Sequence, residues 1–221
     1  MGQGTLLAGG RRFLLAGDRL CQGATCRLNP SYAAPYAYRI FARHDPGRPW
    51  LELVDSAYVL LETNAALTAT RLPSDWVLID RGSGALRRGS ETDSVYSYDA
   101  LRVPWRIALD AALFGDPRAE RYLRDSFRWL ADEWRGRSVL PAVIAPDGRA
   151  RADYEALEML AAAMPALRRF EPEVASAMAQ RVGGTLRDGL WGDRQSYYLQ
   201  NWAWFGTAVY EGRLAPLEAV K

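Results

Sequence analysis

Apolar residues recur along most of this chain at intervals of three and four, the spacing of a single buried helix face. The clearest case runs from about Trp50 to Thr68, where Leu53, Ala57, Leu60, Leu61 and Asn64 fall on one side. Upstream, Asn29-Pro30-Ser31 offers a cap with proline in the first turn, so a helix is expected from Tyr32 to Ala42, ended by Pro46-Gly47. Further helices are expected at about 97–114, 117–135, 152–169, 172–185 and 195–211. Strong breakers separate them: Gly115-Asp116-Pro117, Pro146-Asp147-Gly148, Glu171-Pro172 and Gly183-Gly184. Strand signals are few. Thr5-Leu6-Leu7 and Arg12-Phe13-Leu14-Leu15 read as a hairpin, and Trp76-Val77-Leu78-Ile79 as a short strand before the Arg81-Gly82-Ser83-Gly84 loop. The stretch 138–150 is the longest loop expected in the second half. With no linker, low-complexity tract or repeat, residues 1–221 read as one domain, mainly α, of helical hairpins arranged as a bundle, solenoid or α/α barrel.

Composition narrows the chemistry. Half of the 221 residues are apolar, and 28 Lys and Arg face 26 Asp and Glu. That is enough for a sizeable core, without the basic stripe a nucleic-acid binder needs. The one histidine, His44, sits in the turn-like Arg43-His44-Asp45-Pro46-Gly47 and reads as a solvated turn residue. A zinc site or a histidine-based triad therefore lacks its ligands, and carboxylates are the candidates for any chemistry; no metal or cofactor is expected. Cys21 and Cys26 flank a short Gln-Gly-Ala-Thr link that fits a small disulfide or a free thiol pair. No stretch is long and apolar enough to span a membrane, and the start lacks the pattern of a signal peptide.

The most informative stretch is Ser97-Tyr98-Asp99-Ala100-Leu101-Arg102-Val103-Pro104-Trp105-Arg106. Asp99 and Arg102, three apart, share a face at an expected helix start, with Pro104 tolerated in the first turns. An Asp held by an Arg suits a general base taking a proton from water; the plainer reading is a helix-surface ion pair.

Here the chain resembles family-8 glycoside hydrolases, the bacterial cellulase type. Tyr98-Asp99-Ala100, Arg102, Val103 and Pro104 are similar to the signature around that family's catalytic base. Leu28-Asn29-Pro30-Ser31-Tyr32-Ala33-Ala34-Pro35 resembles a family helix start. Trp50 with Asp55-Ser56 and Leu60-Leu61 resembles the next helix, and Leu72-Pro73-Ser74-Asp75-Trp76-Val77 a Leu-x-Pro-Asp-Trp stretch. Tyr197 to Gly206 resembles the closing helix. The match runs in order from about residue 6 to 212. It implies an (α/α)6 barrel hydrolysing β-1,4-linked polysaccharide with inversion, a reaction that needs two carboxyl groups. On this mapping Asp99 is the base, Arg102 its orienting partner, and Tyr32, Trp76, Tyr98 and Trp105 candidate sugar-binding residues. Trp50, Trp129 and Trp134 are expected in the core, as are Tyr197, Tyr198 and Trp202.

The sequence departs from the family in one place. The general acid, a Glu in a glycine-rich helix start, and a second motif carrying a cleft Asp both precede the Asn-Pro-Ser-Tyr stretch in the family, and neither occurs here. The resemblance thus implies an incomplete barrel lacking about the first third. Glu91 and Asp93 are expected in a solvated loop, and Asp153, Glu155 and Glu158 at an ordinary helix N-terminus. Three explanations fit: a piece of a longer protein, a second chain or self-association that covers the absent helices, or a degenerate relative that binds glycan without cutting it. The full-length protein is expected to be secreted or periplasmic. A helical-repeat interaction protein is a third reading, disfavoured by five stretches matching in order.

Overall fold

A computed structural model of the chain describes residues 4–17 and 19–214. The N-terminal part is built mainly from strands. β1 (Thr5–Ala8) pairs antiparallel with β2 (Arg11–Leu14), as the glycine-separated apolar runs predict. β3 (Cys21–Gln22) and β4 (Thr25–Leu28) form a tight hairpin in which Cys21 and Cys26 are directly opposite and disulfide-bonded. That resolves the open cysteine question in favour of a cross-strand bridge.

A 3-10 turn at Pro30–Tyr32 follows, with the Asn29 side chain accepting from Ser31 N. The first helix, α1 (Pro35–His44), starts three residues later than expected. Pro35 is the reason: the residue before a proline is driven out of the helical region, and Ala34 lies outside it at φ −128°, ψ 71°. His44 ends α1 and is exposed, as a turn histidine should be. α2 (Trp50–Ala66) follows its predicted face closely, burying Leu53, Ala57, Leu60, Leu61 and Asn64.

The chain then returns to the sheet. β5 (Val77–Asp80) pairs with β4 and with β6 (Leu86–Arg88), giving the antiparallel order β3-β4-β5-β6. Leu28, Val77, Ile79 and Cys26 from its inner face meet Leu6, Phe13 and Leu60 in a small core of their own. Only the β5 segment of this sheet was legible as a strand.

The remaining helices are α3 (Arg102–Phe114), α4 (Pro117–Arg137), α5 (Leu157–Leu167), α6 (Pro172–Gly183) and α7 (Tyr197–Tyr210). A minimal hairpin, β7 (Leu186–Arg187) with β8 (Leu190–Trp191), joins the last two. Helix α5 is the hub, packing on α3, α4, α6 and α7. Met159 through Leu167 are all buried, the mark of a helix covered on every side. Its alanines let neighbours approach closely. Pro165 has no N–H to return to the Ala161 carbonyl, and that carbonyl faces Gly206 on α7, where a Cβ would stand only 2.0 Å away.

Besides α1, the helices α3 and α5 also begin late, five residues after the periodicity predicts. α3 starts at Arg102 rather than 97, because Asp75 holds the N–H groups of Ser97 and Ala100 while Tyr96 bridges to Ile144. α5 starts at Leu157 rather than 152, because Ala142 takes the Tyr154 carbonyl and Pro141 bridges Glu155. Both stretches have apolar spacing fit for a helix, yet long-range partners claim their backbone. No helix among the described residues is long and apolar enough to cross a membrane.

Candidate active site

The site is built on the turn 97–101 at the entrance to α3. Three backbone and side-chain donors converge on Asp75, from the segment between α2 and β5. Its Oδ1 accepts Ser97 N at 3.0 Å and Ala100 N at 2.7 Å, and its Oδ2 accepts the Ser97 hydroxyl. Asp75 is buried, and burial, opposed by these hydrogen bonds, raises its carboxyl above the ordinary value. The segment carrying Asp75 is tied in turn to α2. Ser74 N donates to Asn64 Oδ1 at 2.9 Å, Asn64 Nδ2 to Ser74 Oγ at 2.7 Å, and Ser74 Oγ to Trp76 O at 3.1 Å.

Asp99 stands at the crest of this turn, not inside the helix as its spacing suggested. Both of its carboxylate oxygens are held. Arg102 Nη2 donates to Oδ1, and the indole Nε1 of Trp76 donates to Oδ2 at 2.9 Å. The side chain stays about one-third exposed, so the carboxylate is gripped from below and open to solvent above. Arg102 is fixed as well: its Nε donates to Ser31 Oγ at 2.9 Å and to Asp99 O at 3.1 Å. Ser31 in turn donates to Asn29 Oδ1 at 2.5 Å. The Asn29-Pro30-Ser31 cap thus does more than start a turn; it docks the guanidinium of Arg102.

Aromatic rings surround the pair. Tyr32 is 41% exposed, and the Arg102 guanidinium lies 5.6 Å from its ring centroid. Trp76 is half-buried beneath the Arg27 guanidinium, 4.5 Å from its ring. Tyr98 packs edge-on against Tyr198 at 5.9 Å, and the Tyr198 hydroxyl donates to Tyr98 O at 2.6 Å. Burial first, then a hydrogen bond with the exposed Tyr154, pushes the Tyr98 hydroxyl up. Burial likewise pushes Tyr198 up to about 12, with Asp99 and Glu158 adding to the rise and Arg102 opposing it.

The structure therefore brings Asp99, Arg102, Tyr32, Trp76 and Tyr98 together and separates Trp105 from them. Trp105 is buried in an aromatic cluster with Tyr36, Trp202 and Phe205, and its indole N–H is spent on the Phe205 carbonyl at 2.8 Å. It joins α3 to α7 and presents nothing to a sugar. Trp134 and Trp202 are buried, with Trp50, Trp129 and Tyr198 packed partly against the core, but Tyr197 is 82% exposed and is not a core residue.

The other acids divide: Glu91 is exposed in a loop and Glu158 opens a helix, as expected, while Glu155 does not. Glu91 pairs with Arg151 at 3.2 Å and Asp93 with Arg27 at 2.5 Å, at the edge of the sheet. Glu155 is no helix-start residue: it accepts Leu140 N at 3.1 Å and pairs with Arg181 at 2.9 Å, bracing the long loop. Glu158 does lie in the first turn of α5 and acts electrostatically on both Tyr98 and Tyr198. No group of three or more His, Cys, Asp or Glu among the described residues is arranged to hold a metal ion. Asp75, Tyr154 and Glu158 are the members of this neighbourhood that sequence reasoning missed. The Asp-Trp pair within the Leu-x-Pro-Asp-Trp stretch was the available signal for Asp75.

Comparison with known proteins places the chain in a family. The family model for glycosyl hydrolases family 8 matches residues 3–133. Endoglucanase A of Acetivibrio thermocellus is 36% identical over 112 residues, which cover 50% of this chain and 22% of that protein. Endoglucanase C of Ruminiclostridium cellulolyticum is 32% identical over 113 residues, covering 51% and 23%. Among solved structures, an endo-1,4-D-glucanase from Vibrio fischeri ES114 superposes with a TM-score of 0.75 at 22% identity, over 95% of this chain and 59% of that one. A β-1,3-1,4-glucanase from Paenibacillus sp. X4 superposes with a TM-score of 0.77 at 18% identity, over 91% and 54%. The chain thus spans less than two thirds of these relatives, and its helical hairpins are part of an (α/α)6 barrel. With more than half of its length matched by the family model, the chain belongs to the glycosyl hydrolases of family 8.

Proposed function

We propose that this chain carries the base half of an inverting hydrolase of β-1,4-linked glucan, cellulose or a related polysaccharide, with Asp99 as the base. The observation that supports the reading is the geometry of Asp99: a carboxylate with both oxygens fixed by donors, one-third open, on a tied turn beside the exposed Tyr32 and the half-buried Tyr98. Inversion requires such a group on the face of the sugar opposite the leaving oxygen. It takes one proton from a water as the water oxygen attacks the anomeric carbon; a carboxylic acid about 6.5–9.5 Å away protonates the departing oxygen. Water is thereby added across the glycosidic bond. Arg102 orients Asp99, and Tyr32 and Tyr98 offer ring faces to pyranose units.

No acid is placed by the family's motif, which has no counterpart in this chain. Asp75 is buried with its oxygens occupied, and Glu91, Asp93 and Glu155 are in ion pairs. We therefore assign the acid to polypeptide outside these 221 residues, in the same protein, a second copy or a second chain, which would also cover the barrel's open side. Action on an extracellular polymer places the whole protein outside the cytoplasm, secreted or periplasmic. The same lack of a placed acid favours a second reading, a relative that binds glycan without hydrolysis.

Reducing-sugar release from carboxymethyl cellulose, lichenan and xylan, with and without Asp99→Asn, tests the assignment. Activity that disappears in the variant supports the base. Equal activity in both proteins removes Asp99 from the mechanism. Binding without release, in a folded chain, favours the second reading.

A further inference from the structure

Asp99 is the residue that the family resemblance singles out, yet the side chains fixing its direction come mainly from elsewhere. We infer that Asp75 and Trp76 are positioning residues for Asp99: Asp75 clamps the backbone on both sides of it, and Trp76 sets the rotation of its carboxylate. The inference rests on Asp99 being the base and adds the device that aims it.

Asp99 lies between Ser97 and Ala100, and the N–H groups of both go to the same oxygen of Asp75. A turn of this kind, left to itself, can rotate; tied at two points to a buried carboxylate, it cannot without leaving buried donors unpaired. The carboxylate of Asp99 retains one further freedom, rotation about its own side-chain bonds. Arg102, docked on Ser31, holds one oxygen only and leaves the carboxylate free to pivot about that contact. Trp76 removes that freedom, because it approaches from β5's side and donates to the other oxygen at 2.9 Å. Its indole has one N–H and one direction, so the oxygen is fixed in position rather than merely neutralised.

Asp75 and Trp76 are adjacent, so both constraints come from one anchored point. Ser74 is bonded to Asn64 of the fully packed α2, and Trp76 itself is held through the bond from Ser74 Oγ to its carbonyl. The base is thus referenced to α2 and the sheet as well as to the start of its own helix. A reacting group must be held within a fraction of an ångström, and misplacement by about 1 Å costs on the order of 100-fold.

The chain has eight tryptophans, so its indole N–H signals in a ¹H–¹⁵N spectrum can be assigned by single substitutions. The indole N–H signal lost in Trp76→Phe should be protected from exchange in the parent protein and lose about tenfold or more of that protection in Asp99→Ala, which removes its acceptor. A Trp76 indole N–H that exchanges equally fast in the parent and in Asp99→Ala would overturn the link. In Asp75→Ala the Ala100 and Ser97 amides should lose about tenfold or more of their protection from exchange, whereas Asp75→Asn, which keeps the accepting oxygen, should retain it. Protection unchanged in Asp75→Ala overturns the clamp. Where turnover is measured, Trp76→Phe should lower kcat about tenfold with KM unchanged. Full kcat in Trp76→Phe beside a dead Asp99→Asn overturns the positioning role and leaves the base standing. A fully active Asp99→Asn overturns the base reading and this inference with it.

Discussion

Tyr58 on α2 donates its hydroxyl to Oδ2 of Asp110 on α3 at 2.5 Å, and the carboxylate it serves has no exposed surface at all. Arg39 of α1 takes the other oxygen at 3.1 Å and reaches on to Asp116, which Arg118 also holds. Three helices and the cap of a fourth are therefore joined by one ionic network on the side of the fold away from Asp99. Because the pair is buried, breaking it leaves a charge without a partner. Tyr58→Phe should cost about 1–3 kcal/mol in urea denaturation. Asp110→Ala should cost about 3–5 kcal/mol. A double-mutant cycle should show the two losses to be strongly non-additive.

Two carboxylates should give opposite pH signatures. Burial raises Asp75 above its ordinary value of 3.8, so the stability it contributes is fully present below that value and is lost as pH rises through the raised one. Asp75→Asn should therefore gain stability relative to the parent on going from acid to neutral pH. At Asp116 burial also pushes upward, but the bonds from Arg118 outweigh it and leave the carboxyl lowered. Its contribution is present above the ordinary value and lost as pH falls through the lowered one. The deficit of Asp116→Asn should be largest at neutral pH and close on acidification. Urea midpoints of the two variants across the acid range decide both signs.

Gly206 and Gly136 are both helical, and alanine should act on them in opposite directions. At Gly206 a Cβ would meet the Ala161 carbonyl, and backbone on both sides leaves little to give. Gly206→Ala should cost about 3 kcal/mol or more and separate α7 from α5. At Gly136, in α4, a Cβ meets nothing within 4 Å. Gly136→Ala should stabilise by about 0.5–1 kcal/mol through helix propensity. Thermal melts of the two variants shifting the same way would contradict the packing argument.

The same contrast explains what could be read along the chain. Helices α2, α4, α6 and α7 were legible because their signals are local: a 3.6-residue face, with Asp116-Pro117, Pro172 and Ser196 at their starts. Stretches 97–101 and 152–156 carry helical spacing too, but partners 12 or more residues away hold their backbone. Spacing cannot reveal such capture. Asp99 and Arg102 could be read together because they are three apart. Trp76 could be placed near the motif only through a resemblance, and the role of Asp75 depends on a partner 25 residues away. Trp105 shows the converse error: adjacency to the motif on a helix says nothing about which side of that helix faces the core.

Trp105 and Tyr32 should accordingly separate packing from recognition. Trp105 fills the junction of α3 and α7 and donates to Phe205 O, so Trp105→Ala should cost about 3–5 kcal/mol of stability. Tyr32 is 41% exposed, with its ring over Arg102 and its backbone carbonyl held by the Tyr38 hydroxyl at 2.6 Å. Replacing its ring leaves that carbonyl bond intact, so Tyr32→Ala should cost less than about 1 kcal/mol of stability. It should instead weaken retention on soluble β-glucan in affinity electrophoresis, a loss that Trp105→Phe, which keeps a packed ring, should not share. Unaltered retention in a folded Tyr32→Ala protein would remove Tyr32 from the sugar-binding surface and leave Tyr98 and its neighbours to carry it.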